Sequence, residues 1–356
     1  MRKSVFHITC WLLLLPLLGA ARDFDFAETR DYLDARLSEL NSSWLVRQGS
    51  LGQIEPAEVV PTGKLVDINE FRTKLDSISG PFRDWDDPEA VRQVVQYLIR
   101  KRQSNTGILL GAGMMQRKTI VEGLVSEGLP IQLAYLPGAL SGFHPFAESI
   151  PGRMGLWQMP LQAGLRYGLV CDENVDERRD PLLSSRAAAR QLRELYTRYG
   201  DWDRTVLAYL AGPGKLAQAF LRANGEDPGA LLEHLPGQVR AQWIVFQALN
   251  YIGFEERNLP LQTAQLRYPE ADGVQMAVER PVQLDHLAKL LEVERGLLEW
   301  LNPAVVGAVS GNTGSGRVII PKAKEADFLA LGESIYLKEP KLQKLVSEPL
   351  IAKTPT

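Results

Sequence analysis

The sequence predicts a mainly α-helical protein that ends in a small β-α-α-β module. From Pro130 to Ile252 the apolar residues recur at helical spacing. From Val274 to Pro321, by contrast, short strand-like segments flank two short helical ones. The 356 residues are 45% hydrophobic and 23% charged, which is ordinary for a globular protein of two or three units.

The first residues follow the order of a secretory signal peptide. The basic pair Arg2-Lys3 precedes an apolar run over residues 11–18, and the small residues Gly19-Ala20-Ala21 come next. A retained membrane anchor is the weaker alternative, because the run is short for a bilayer and contains Pro16. We therefore predict that residues 1–21 are removed on export and that the mature chain has no transmembrane helix.

Charge and residue counts argue against several classes of function. The net charge is −3, and losing Arg2 and Lys3 without any acid makes it −5, with no long basic run for nucleic acid. Only Cys171 remains after the signal peptide, so no internal disulfide can form. The whole chain has four histidines, and none clusters beside Cys171, so we predict no metal site and no cofactor.

Several helices have recognisable ends. Residues 22–85 mix acids, apolar residues and prolines, which predicts an irregular, partly helical segment. Asp87-Pro88 predicts a helix start, and a second helix is expected over Met115–Ser126. A third helix is predicted with Ser184-Ser185 as its cap and Gly200 as its end.

The remaining elements follow the same rules. We expect one helix from Asp201 to Gly212 and another over Val239–Ile252. In the module the predicted order is strand, helix, helix, strand, over residues 274–278, 284–291, 297–301 and 317–321. Three further prolines then predict a loosely held tail over residues 323–356.

A long series of matches, in order and without a gap, relates residues 128–220 to a known family. The matching residues are Gly128-Leu129-Pro130, Leu136-Pro137, Ser141, Phe143, Pro145, Gly155-Leu156-Trp157-Gln158, Gly164, Tyr167-Gly168-Leu169, Asp176-Glu177-Arg178-Arg179-Asp180-Pro181, Ala187-Ala188-Ala189, Gly200-Asp201-Trp202, Ala208-Tyr209, Gly212 and Gly214. The segment resembles the lytic transglycosylase (SLT) domain, which has a goose-lysozyme-like fold. It is most similar to the membrane-bound lytic murein transglycosylase D type. The resemblance implies a lysozyme-like helical domain over residues 86–258.

The later module, residues 272–322, is similar to the LysM-related unit that often follows this domain. Leu287-Ala288, Leu301-Asn302-Pro303 and Val318-Ile319-Ile320-Pro321 carry this likeness. Glu279-Arg280-Pro281 stands where the family has a Gly-Asp-Thr signal, and residues 312–316 look like a flexible hairpin. We therefore expect a degenerate LysM-like module.

The resemblance also implies a reaction that needs one glutamate. Enzymes of this family cleave the MurNAc–GlcNAc bond of peptidoglycan. The protonated acid donates to the leaving oxygen, and attack by the sugar's own 6-hydroxyl gives a 1,6-anhydro product. The acid stands in a Glu-Ser pair whose serine matches Ser141, so the acid position is Leu140. The family's Ala-Tyr-Asn-Ala-Gly segment has Leu210 in place of its asparagine. We therefore predict a pseudoenzyme without a catalytic residue.

By the same resemblance, Ser141, Gln158, Tyr167, Tyr209 and Leu210 are expected to line the substrate groove. Trp157 is expected to pack in the core beneath the loop that carries Gln158.

Three further groups of polar residues have a structural or solvent-exposed role as their main interpretation. Glu148-Ser149 repeats the Glu-Ser pair, but its use as the acid would break the matches around Ser141, so a solvated loop acid is the main interpretation and catalysis the alternative. The charges from Asp176 to Asp180 are expected to form salt bridges and helix caps. His144 is expected to be an ordinary surface or loop histidine.

Three hypotheses for function follow. The first is an exported, non-catalytic protein that binds peptidoglycan glycan strands or cell-envelope proteins, either in the periplasm or associated with the outer membrane. The second is an active but divergent transglycosylase that uses another acid such as Glu148. The third is an envelope scaffold subunit that does not bind glycan. Fold alone does not decide among them, because function depends on the site.

Overall fold

The computed structural model describes residues 26–43, 67–82, 87–149, 152–223, 228–261, 263–264, 266, 273–309 and 316–336. The predicted signal peptide, most of the expected hairpin over 312–316 and the end of the predicted tail from residue 337 lie outside these described residues. Within the described ranges, no helix combines the length and the apolar character that crossing a membrane requires.

In the described ranges, four helices precede the segment that carries the family resemblance: α1 (Phe26–Asn41), α2 (Ile68–Ser79), α3 (Pro88–Arg100) and α4 (Gln103–Ser126). The predicted start of α3 is confirmed, because the Asp87 side chain accepts the Ala90 N–H at 2.9 Å. The helix predicted from Met115 begins earlier, at Gln103. Its glycine-rich first half allows close contact, since the Ala264 N–H donates to the Gly107 carbonyl at 2.9 Å.

A short, fully buried helix follows a 3₁₀ turn over Ile131–Tyr135. This helix, α5 (Leu136–Ser141), ends at Gly142 with a left-handed φ of 64°. A two-residue hairpin, β1 (Glu148–Ser149) with β2 (Arg153–Met154), then leads to α6 (Leu161–Arg166). The loop between β2 and α6 contains Gly155-Leu156-Trp157-Gln158.

The helical domain is completed by α7 (Pro181–Tyr199), α8 (Trp202–Ala211), α9 (Pro213–Ala223), α10 (Pro228–Glu233) and α11 (Gly237–Glu255). The predicted cap of α7 at Ser184-Ser185 is wrong, because Asp180 caps the helix by accepting the N–H groups of Leu182 and Leu183. The two serines instead donate to the carbonyls of Asp180 and Pro181 inside the first turns. The predicted end at Gly200 is confirmed.

The C-terminal module, residues 273–336, has its own small core. Strands β3 (Gly273–Ala277) and β6 (Arg317–Pro321) pair antiparallel, as do β4 (Val282–Gln283) and β5 (Ala308–Val309). Helices α12 (Leu284–Leu291) and α13 (Arg295–Leu301) lie between them in sequence, close to the predicted bounds. This order agrees with the expected β-α-α-β pattern, whereas the relationship to LysM stays a prediction.

The module extends beyond its predicted end at residue 322. Helix α14 (Glu325–Leu331) and the following turn place Phe328 and Ile335 in the same core as Leu287 and Val318. The expectation of a loosely held tail is therefore wrong for residues 325–336. Burial of these two apolar side chains favours folding of this segment against the module.

The module contacts the helical domain through the loop over residues 171–176. The Asp176 N–H donates to the Ala304 carbonyl at 2.7 Å, and Val175 and Val305 form an isolated antiparallel bridge. Asn174 accepts twice through its carbonyl, from the N–H groups of Val306 and Gly307. Its side-chain oxygen also accepts the Ala308 N–H at 3.0 Å. These bonds give the module a defined position on the domain.

Replacing Asn174 by alanine should loosen this contact. The Ala308 N–H would lose its acceptor, which costs about 1–3 kcal/mol when the group is shielded from water. We expect amide hydrogen exchange of residues 306–308 to become about tenfold faster. Asn258→Ala is the matched control, because the Asn258 side-chain NH₂ donates to the Glu255 carboxylate of the helical domain and not to the module. Equal exchange in both variants would contradict this account.

Candidate functional site

The predicted acid position lies on a buried helix. Leu140 is 2% exposed and belongs to one hydrophobic core with residues of α1, α4, α8 and α11. The next residue, Ser141, is also buried, and its hydroxyl lies 2.8 Å from the Leu156 carbonyl and 3.0 Å from the Pro137 carbonyl. Position 140 therefore carries a packing side chain, and Ser141 connects α5 to the loop with Trp157.

Helix α1 contacts the same position from the other side. The Tyr32 hydroxyl donates to the Ala139 carbonyl at 2.5 Å, with the Leu140 carbonyl at 3.3 Å, and accepts from the Gln242 side chain at 3.1 Å. Burial raises the pKa of Tyr32 to about 12. Sequence analysis missed this contact, because Tyr32 is separated from Leu140 by more than a hundred residues and no local pattern signals it.

The Gly155–Gln158 loop is held by hydrogen bonds to its own backbone and to neighbouring segments. Gln158 is buried at a positive φ of 48°, and its side-chain NH₂ donates to the carbonyls of Ala147 and Gly155, both at 2.9 Å. Trp157 is fully buried, in line with its expected packing role, and its indole N–H donates to the Ser185 hydroxyl at 2.8 Å. The donors of both side chains therefore stabilise the loop.

Tyr209 and Leu210 reach this loop from α8. The Tyr209 hydroxyl donates to the Trp157 carbonyl at 2.9 Å, and the two rings meet edge to face at 6.3 Å. Burial raises the pKa of Tyr209 well above its ordinary value. Leu210 is 4% exposed and packs in the main core. Three of the predicted groove residues therefore form hydrogen bonds to the backbone of the same loop, over residues 155–158. They are Ser141 on α5, Gln158 in the loop itself and Tyr209 on α8.

Tyr167 is placed differently. Its hydroxyl donates to the Glu194 carboxylate on α7 at 3.0 Å, and burial together with that carboxylate raises the pKa of Tyr167 to about 12. The exposed Arg166 binds the same carboxylate. Tyr167 thus belongs to a surface cluster between α6 and α7, apart from the hydrogen bonds that join Ser141, Gln158 and Tyr209.

Glu148, the alternative acid, lies in the hairpin with its side chain exposed. A general acid needs an apolar surround that keeps its proton at neutral pH. The hairpin does not bury the Glu148 carboxyl in this way, so its position agrees with a solvated acid.

The expectation of a surface position for His144 is wrong, although the residue does lie in a loop. The ring is buried directly after α5, and its Nδ1 has no hydrogen-bond partner within the described ranges. Burial, with a smaller contribution from the Arg36 charge, lowers the pKa of His144 to about 4. The ring is therefore neutral at physiological pH.

The charged cluster over residues 176–180 is structural, as predicted. Arg178 binds both oxygens of Asp176, at 2.9 and 2.7 Å, and donates to the carbonyls of Gly152 and Met159. Its own carbonyl packs against Gly155, where a Cβ atom would lie 1.9 Å from that oxygen. The buried Arg178 side chain thus binds the backbone on both sides of the loop over residues 155–158, at Gly152 and at Met159.

Cys171 is a half-buried free cysteine. The pKa of Cys171 is raised to about 11, by burial first and then by the neighbouring Asp176 carboxylate, which disfavours a thiolate. Among the described residues, no group of three or more His, Cys, Asp or Glu side chains is arranged to hold a metal ion.

A family comparison matches the part of the chain that contains this loop. Residues 126–231 match the family described as the Transglycosylase SLT domain. The chain therefore carries a transglycosylase SLT domain, and the family predicted from the sequence is confirmed.

Similarity to curated relatives extends over as many as 210 residues. The chain is 29% identical over 210 residues to "Membrane-bound lytic murein transglycosylase D" of Escherichia coli (strain K12), which covers 57% of this chain and 45% of the relative. The protein of that name from Escherichia coli O6:H1 gives the same values. A candidate tributyltin chloride resistance protein of Alteromonas sp. (strain M-1) is 32% identical over 102 residues, covering 28% of this chain and 49% of the relative. The chain thus spans about half the length of these relatives.

Proposed function

We propose that this protein is a non-catalytic SLT-domain protein that binds peptidoglycan glycan strands or cell-envelope proteins. One observation carries the proposal: the acid position is occupied by Leu140, whose side chain is buried in the core. A leucine can neither donate nor accept a proton. Of the groove residues predicted beside it, Ser141, Gln158 and Leu210 cannot titrate near neutral pH, and the Tyr209 hydroxyl is held on a carbonyl.

The murein relation supports the partner class. The names of the relatives in Escherichia coli describe lytic transglycosylases of murein, and this chain matches 210 residues of each. Export through the predicted signal peptide would bring the protein to the periplasm or the outer membrane, where this polymer lies. The exposed position of Glu148 favours the non-catalytic proposal over the divergent enzyme.

The test of catalysis is incubation of the mature protein with peptidoglycan sacculi, followed by mass spectrometry of the soluble fraction for 1,6-anhydro muropeptides. We expect no product above a buffer control. A product from wild type would contradict the proposal and make Glu148→Gln the next variant.

Sedimentation with sacculi tests glycan binding, and a protein that stays wholly in the supernatant leaves cell-envelope proteins as the partner class.

Leu140→Glu is expected to gain activity. A carboxyl at this buried position would have a raised pKa, which is the state that a general acid requires. Release of 1,6-anhydro products should rise by up to about 10²-fold over Leu140→Gln, which matches the size of the side chain but has no acid. Equal release from the two variants would show that restoring the acid alone does not rebuild the site. Circular dichroism of both variants checks that they fold.

A further inference from the structure

An open basic cleft lies between α1 and the C-terminal end of α3. Its volume is about 610 Å³, and four of the residues that line it are cationic: Arg30, Arg100, Lys101 and Arg102. None of its lining residues in the described ranges is acidic, although the chain as a whole has a net charge of −3. The aromatic rings of Phe26 and Tyr97 meet edge to face at 5.6 Å within the lining.

Two of these cations pair with carboxylates of α1. Arg102 binds both oxygens of Asp34 at 2.8 and 2.7 Å, and the Tyr97 hydroxyl donates to the same carboxylate at 2.7 Å. Arg30 binds the neighbouring Asp31 at 2.8 Å. The lining therefore holds four cationic side chains, of which Arg30 and Arg102 each bind one carboxylate of α1.

Lys101 is a further cation of this cleft. Its side chain is exposed, and its ammonium has no hydrogen bond or ion pair within the described part of the chain. In the cleft wall, the side-chain nitrogen of Gln96 is buried without an acceptor in the same ranges. These donors and the arginines surround one concave surface.

We propose that this cleft binds a phosphate group. Arginine and lysine clusters recognise phosphate through charge-assisted hydrogen bonds, and the guanidinium fork matches its oxygens. A carboxylate is satisfied by a single guanidinium, as Asp34 is by Arg102. A phosphate has further oxygens that donors from both helices can reach at once. Its source is either an anionic phospholipid headgroup or a soluble phosphate compound. The inference is independent of the proposed loss of catalysis.

The test uses the mature chain at low ionic strength and two probes, vesicles of phosphatidylglycerol and inorganic phosphate. We expect co-sedimentation with phosphatidylglycerol vesicles and none with phosphatidylcholine vesicles if the headgroup is the source. If the source is soluble, we expect saturable binding of inorganic phosphate by isothermal calorimetry instead. Lys101→Gln and Arg30→Gln should each weaken the binding that is observed by about fivefold.

Lys215→Gln is the matched control. Lys215 is an exposed cation in a second cleft, whose other lining residues include Arg222, His234 and the acidic Glu233. The control should bind like wild type. The proposal is overturned if wild type binds neither probe, or if the control loses as much affinity as the cleft variants, which would indicate attraction by overall charge.

Discussion

Gly155→Ala is expected to lower the free energy of unfolding by about 4 kcal/mol or more, enough to unfold a marginally stable domain. A Cβ atom at this position would lie 1.9 Å from the Arg178 carbonyl oxygen and 2.8 Å from its carbon. Both are backbone atoms, so a rotamer change cannot relieve the contact. The φ of +78° adds a conformational cost for any residue with a side chain. Urea denaturation followed by circular dichroism measures the loss.

Gly200→Ala separates the two causes. Gly200 ends α7 with a similar φ of +67°, and a Cβ atom there would meet no other atom within 4 Å. This variant should lose only the conformational part, about 1 kcal/mol. If both variants lost the same amount, the close approach of Arg178 to Gly155 would not be the cause.

Arg178→Met is expected to cost about 3–5 kcal/mol, because it leaves the Asp176 carboxylate buried without its partner. The side chains of Arg178 and Asp176 are only 9% and 11% exposed. The variant would also remove the donors to the carbonyls of Gly152 and Met159. Arg166→Met is the control, since its pair with Glu194 is 66% and 52% exposed and should contribute at most about 1 kcal/mol. Similar losses in both would contradict the argument.

The same pair predicts a pH dependence. Burial raises the pKa of Asp176, whereas the hydrogen bonds and the charge of Arg178 lower it. The lowering effects together are larger, so the pKa of Asp176 lies below its ordinary value. The stabilisation is therefore present above about pH 3.9 and is lost as the pH falls through the folded-state pKa. In Arg178→Met the guanidinium is lost, whereas burial and the hydrogen bonds from the backbone N–H of residue 178 and from the Cys171 thiol remain. Asp176 therefore takes up a proton more readily than in wild type. The difference in unfolding free energy between wild type and variant should therefore shrink on acidification.

Local sequence patterns predicted most of the helical elements but misplaced some boundaries. The starts of α3 and α8 were predictable, because Asp87 and Asp201 are capping residues beside helical patterns. The early start of α4 was missed, because its glycines lower the local helix propensity and the contacts that pack against them, such as Ala264 on Gly111, are distant in sequence. The fold of residues 325–336 was missed for the same kind of reason, because it depends on burial of Phe328 in the module.

The candidate site was predictable only where the family pattern applies. Position 140 and the loop over residues 155–158 follow from ordered matches, and the structure joins that loop to Ser141 and Tyr209. Three facts depend on tertiary contacts that no motif encodes. These are the contact of Tyr32 with α5, the burial of His144 and the position of the module on Asn174.

The contact of Tyr32 with α5 also bears on which piece of the chain can fold by itself. The family match ends at residue 231 and begins at residue 126, yet α5 is buried by residues of α1 and α11, which lie on either side of that segment. A fragment cut at the family boundaries would expose Leu136 and Leu140 to water and leave the Ala139 carbonyl without the Tyr32 hydroxyl. The autonomous folding unit is therefore longer than the family match over residues 126–231. It includes helix α1, so its N-terminal limit lies at or before Phe26.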